Sequence, residues 1–292
     1  MKKKIIISSA KIYDELLKYI EIINQWRKKR VSNANFLILA AAVVGILGGI
    51  AASVLKELTN YVANFLQNDL HWEYKYYLYL FFPLIGIFLT VLYIRVFIRR
   101  SKFQHGIPPI LTTISHNSSK LDFHNIYSQI ISSALTVGLG GSAGLEAPAV
   151  ASGAAIGSNI GRFFGLNYRE TTLLLACGAG AGISGAFNSP VAGMIFAIEV
   201  IMPEFTIPAV IPLLIASAFS SVVSQIIYKQ PLFVLVTSGW TVESFWYYLV
   251  LGILAGIYSV FFSKLNHYIH ESFSKIKNRY NKIWIGGIIL GV

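Results

Sequence analysis

The chain has 292 residues, 55% of them hydrophobic and 13% charged, with a mean hydropathy of +0.61, and its apolar runs are long enough to cross the ~30 Å of a bilayer core, which a soluble fold of this size does not need. The net charge of +11 sits in basic clusters flanking those runs and is not interleaved with base-stacking aromatics, which excludes nucleic acid as a partner and reads as membrane topology.

Residues 1–33 are expected to form a cytoplasmic amphipathic helix. Ile12, Leu16, Tyr19, Ile20 and Ile23 alternate with Lys, Glu and Arg up to Arg27-Lys28-Lys29-Arg30, the pattern of a helix lying on a membrane surface. The apolar stretch after Met1-Lys2-Lys3-Lys4 is too short for a cleaved signal peptide. Segments 35–58 and 76–98 read as spanning helices. The basic clusters at 27–30 and at Arg95, Arg99, Arg100 and Lys102 lie at their far ends, so the N-terminus is expected in the cytoplasm, with the first helix running outward and the second returning.

From 106 to 227 the apolar segments shorten to about 107–115, 125–138, 148–164, 170–186, 190–202 and 207–227, broken by glycine and proline. Broken helices survive at membrane depth only where the freed backbone is buried in protein or lines a cavity. Cys177, the single cysteine, excludes an internal disulfide. Gly178, Gly180 and Gly182 read as close helix contacts.

Val44-Gly45-Ile46-Leu47-Gly48-Gly49-Ile50 matches Leu251-Gly252-Ile253-Leu254-Ala255-Gly256-Ile257, and Leu58 and Tyr61 match Leu265 and Tyr268 at the same offset. Lysine and arginine are absent from 230–243 but follow the second copy, so that copy runs inward and the repeat is inverted. The expected organisation is a first membrane repeat over 34–240, carrying the functional site, and the start of a second, truncated repeat over 241–292.

Glu146 is the leading functional candidate. A carboxylate at membrane depth is costly unless it faces water, an ion or a partner, and this one lies among small residues before Pro148. Gly106-Ile107-Pro108 and Gly144-Leu145-Glu146-Ala147-Pro148 each put small residues just before a helix start, where unpaired N–H groups and the positive dipole end can replace part of a halide's water shell. A carboxylate beside such a site can occupy the ion's place and leave it on protonation. Glu199, in Phe196-Ala197-Ile198-Glu199, reads equally as a proton-relay carboxylate and as an interfacial residue. Nothing in the sequence points to an enzyme, a cofactor or a metal.

Gly144-Leu145-Glu146-Ala147-Pro148 resembles the Gly-Arg-Glu-Gly-Pro motif of the CLC chloride channels and proton-coupled anion transporters. Gly106-Ile107-Pro108 resembles the end of that family's Gly-Ser-Gly-Ile-Pro motif, and the stretch from Gly185 to Gly193 resembles the one that follows its glutamate motif. The resemblance implies an all-α, polytopic, inverted-repeat CLC-type fold with broken helices. It implies a homodimer in a lipid bilayer, expected to be a bacterial inner (plasma) membrane, that conducts chloride or a related small anion, with or without protons.

It also implies Glu146 as the gate, Glu199 as a candidate on the proton path, and His105, Gly106, Ile107, Pro108, Gly144, Leu145, Ala147 and Pro148 around the anion. His105 stands where the family has a serine, offering a ring N–H or only its backbone amide. Leu145 replaces the family's arginine and argues against the fluoride-exporting branch, which has asparagine there. Val200 occupies the position of the transporters' inner proton glutamate, as it does in channels. The family's second-half motifs, Gly-x-Phe-x-Pro and an anion-coordinating tyrosine, have no counterpart in the right context. Two alternatives remain: an inverted-repeat carrier of small organic anions, and a non-conducting fragment or assembly partner.

Overall fold

The computed structural model describes residues 24, 30, 32–65, 81–98, 106–202, 206–229, 242–276 and 278–291. Most of the amphipathic stretch and the candidate His105 lie outside these residues. The described chain is helical, without a strand: α1 (Asn33–Asn64), α2 (Phe82–Phe97), α3 (Pro108–His116), α4 (Asn125–Gly138), α5 (Glu146–Phe163), α6 (Tyr168–Phe187), α7 (Pro190–Phe196), α8 (Val210–Ile227), α9 (Phe245–Ser274) and α10 (Arg279–Gly291). By length and composition α1, the run Ile207–Ile227 and the run Val242–Ser274 can each cross a membrane.

The centre is the pair α5 and α6, with α1, α4 and α8 packed around it. Small residues bring these backbones into direct contact. A methyl group added at Gly153 would lie 2.0 Å from the Gly178 carbonyl oxygen, and one at Gly182 would lie 2.4 Å from that of Ala149. Gly180 meets Gly193 of α7 in the same way, so Gly178, Gly180 and Gly182 all pack against helices. Gly45 and Gly49 seat α1 on α8 at Ala216 and Ser220. With no apolar driving force between helices in lipid, such close approach supplies the packing that holds them together. Hydroxyls add to it: Ser184 donates to the Ser217 carbonyl, Ser220 to Ala181 and Ser224 to Gly185, all between α6 and α8.

Helix ends follow local chemistry. Ser32 caps α1 by accepting from the Asn35 amide at 3.3 Å. Asn167 and Glu170 form a reciprocal capping box at the start of α6, and Asn33 of α1 also donates to Glu170. α6 ends at Asn188 in the left-handed conformation (φ 54°), and Pro190 opens α7 at once. The loop from α3 to α4 is pinned to α5: Ser158 donates to the Ser119 carbonyl (2.6 Å) and accepts from the Leu121 amide (2.9 Å). In contrast, α9 has no buried residue along its length.

Candidate functional site

Glu146 is the first residue of α5, which begins two residues earlier than Pro148 suggests. Pro148 is tolerated because amides in a first helical turn have no intrahelical acceptor. The first ladder bond of this end runs from the Ala149 amide to the Leu145 carbonyl (3.1 Å). The Glu146 side chain folds back over residue 144: a methyl group there would sit 1.9 Å from Glu146 Oε2, so only glycine leaves room for the carboxylate in this position. Glu146 is exposed, Ala147 and Pro148 are half-buried, and Leu145 packs against a cluster of Leu55, Ala149 and Ala186.

The start of α3 is built similarly. Gly106 has φ +87°, a conformation that disfavours any side chain, and Pro108 occupies the first turn with its preset φ. Gly106 lines a cavity of about 180 Å³ together with Thr113, Asn117, Asn125, Gln129 and Ala151. Ala151 belongs to α5, so the cavity joins the Gly106 turn to the helix that carries Glu146, although Glu146 itself does not line it.

Glu199 is exposed, in a π-helical turn (Ala197–Ile201) that continues α7, with Val200 exposed beside it. Wide turns of this kind recur at functional positions, and hydrophobic periodicity does not reveal them. Among the described residues, no three His, Cys, Asp or Glu side chains gather where they could hold a metal ion.

Lys56 is the residue that sequence reasoning undervalued. The basic clusters that set the topology do not include it, yet it is 6% exposed inside α1, with Nζ donating to the Gly185 carbonyl at 2.8 Å and lying 5.0 Å from the centre of the Tyr228 ring. The signal was available: Lys56 falls seven residues after Gly49, on the same helix face.

The family model described as voltage gated chloride channel matches residues 85–292. An H(+)/Cl(-) exchange transporter ClcA of Klebsiella pneumoniae (strain 342) is 30% identical over 273 residues, covering 88% of this chain and 57% of that protein. The chloride channel protein CLC-f of Arabidopsis thaliana is 34% identical over 200 residues, covering 61% of this chain and 24% of that protein. The chain thus spans little more than half the length of the curated exchange transporter it matches. Among solved structures, a slow cyanobacterial Cl-/H+ antiporter shares the fold at a TM-score of 0.72 and 22% identity, over 87% of this chain and 62% of that one. A CLC-type fluoride/proton antiporter superposes at 0.73 with 25% identity, over 90% of this chain and 66% of that one.

Proposed function

The chain belongs to the voltage gated chloride channel family, and on that premise we propose that it takes part in moving chloride or a related small anion across a membrane, with Glu146 as the gate. The observation that carries this reading is the Glu146 carboxylate folded over Gly144 at the start of α5, where a tethered anion can compete with a free one for the helix end. The turn Gly106-Ile107-Pro108, with the neighbouring His105, supplies a second backbone-lined approach. Gly144, Leu145, Ala147 and Pro148 shape the first. In this reading residues 34–240 are the first membrane repeat, 241–292 begin the second, 1–33 lie on the cytoplasmic surface, and the working unit is a homodimer.

Proton-coupled exchange is supported by the similarity to the Klebsiella pneumoniae H(+)/Cl(-) exchange transporter and to the CLC-type fluoride/proton antiporter. Uncoupled conduction is supported by Val200, which puts an apolar side chain next to the lone carboxylate of the π-helical turn. Glu199 is then the only carboxylate of that turn able to relay a proton.

Chloride flux from liposomes containing the full-length protein tests the gate. Glu146→Gln, which mimics the protonated carboxyl, is expected to keep or raise the flux while abolishing its pH dependence and any coupled proton movement. Retention of both would remove Glu146 from this role.

A further inference from the structure

We propose that the last turn of α5 holds an anionic phospholipid, with its phosphate in a basic cavity and an acyl chain in the adjoining apolar groove. The cavity, about 490 Å³, is lined by Lys120, Arg162, Ser118, Tyr168 and Thr171 among others, two cations and three hydroxyls with no carboxylate. Arg162 Nη1 donates to the Leu121 carbonyl at 3.2 Å, which fixes the guanidinium at the cavity wall and leaves its other donors to face an anion. Lys120 is exposed, and its hydrogen bonds run through its backbone, to and from Asn117.

Glu170, beside Thr171 of the cavity, is held in the α6 capping box and by Asn33. Asp122 lines the neighbouring 180 Å³ cavity, which Lys120 also borders, and not this one. Basic pockets between membrane helices suit anionic headgroups, each nearby cation adding to the attraction.

The second observation is the groove. About 480 Å³ and almost wholly apolar, it runs between α1, α4 and α5 and is lined by Leu47, Val54, Phe123, Ile130, Ile156 and Phe163 among others. Arg162 and Phe163 are consecutive on α5, one lining the cavity and the other the groove. One acceptor ties the two linings together: the Leu121 carbonyl takes a hydrogen bond from Arg162 of the cavity and another from Asn159 Nδ2 (3.3 Å) of the groove. Phe123, Phe163 and Tyr168 are exposed here, as aromatic residues are at a membrane interface. A free phosphate accounts for the cavity alone, whereas a phospholipid accounts for cavity, groove and the aromatic rim together.

Native mass spectrometry of the detergent-purified full-length protein tests this independently of transport, using phosphatidylglycerol, phosphatidylcholine of the same acyl chains, and inorganic phosphate. Phosphatidylglycerol is expected to be retained over phosphatidylcholine, with Lys120→Gln lowering that retention about fivefold and Lys120→Arg preserving it. Phe163→Ser, at an exposed position, is expected to weaken both lipids. Equal retention of the two lipids, or an unchanged Lys120→Gln, would overturn the proposal. So would millimolar inorganic phosphate that displaces the lipid and binds Phe163→Ser as well as wild type, since the site would then take the free anion.

Discussion

The Glu146 carboxylate can lie back over its own helix start only because residue 144 has no Cβ. A methyl group at 144 would collide with the far end of a flexible side chain and not with backbone, so the carboxylate moves and the fold stays. Gly144→Ala is therefore expected to free the helix end in part and shift the pH dependence of chloride flux toward that of Glu146→Gln; a wild-type profile would sever the link between this geometry and gating. At Val200 the missing carboxylate predicts weak proton coupling. Uphill proton movement in fixed ratio to an imposed chloride gradient would show that Glu199 or water does the relaying. Lys56 tests a different balance: its charge is buried in α1, and the Gly185 carbonyl it bonds also accepts from Ser224 Oγ at 2.7 Å. Because that acceptor stays satisfied and a buried charge is removed, Lys56→Met is expected to change stability by less than ~1 kcal/mol or to raise it. A thermal-shift loss several times larger would mean that the cation is needed where it sits.

Helix-scale legibility depended on where the stop signals lay. α4 occupies 125–138 as expected, since His124 and the Gly138-Leu139-Gly140 turn bracket its apolar run. Pro108 likewise marked the start of α3, but Pro148 misplaced the start of α5, because proline is as acceptable at the third helical position as at the first. That shift matters, since it puts Glu146 inside the first turn and not ahead of it. The π-helical turn at Glu199 was invisible because hydrophobic periodicity does not distinguish it from the end of α7, which packs on α6 and α8. The glycines of α6 were legible as packing positions, yet their partners were not, since pairing Gly178 with Gly153 needs the fold. Gly153→Val places a branched side chain where even a methyl group would come within 2.0 Å of the Gly178 carbonyl oxygen, so α5 and α6 must separate. The expected cost is ~3 kcal/mol or more, read as loss of folded protein by size exclusion in detergent. Gly165→Ala, in a turn with open space around it but at φ +59°, is the comparison: it carries only a local backbone strain of ~1 kcal/mol and forces no helices apart.

At the scale of the whole molecule, the glycine pattern of α1 recurs in α9 in different surroundings. Gly45 and Gly49 of α1 press against backbone of α8, while their counterparts in α9, Gly252 and Gly256, have nothing within 4 Å, and α9 buries no residue. A helix that keeps glycine on one face at a cost of ~1 kcal/mol each relative to alanine implies a closely approaching backbone. By the α1 precedent, that backbone is a helix with small residues spaced like Ala216 and Ser220. The second repeat is the proposed source of it, and also of the remaining anion contacts, since α3 and α5 supply only two helix starts to the site. Residues 1–292 alone are thus expected to insert into membranes yet carry no saturable chloride flux in proteoliposomes, and to aggregate readily in detergent through the uncovered face of α9. Supplying the complementary repeat is expected to restore flux, and Gly252→Leu or Gly256→Leu to block that restoration without affecting insertion. Saturable chloride flux from purified residues 1–292 would instead mean that one repeat builds a whole pathway and that the α9 face needs no partner.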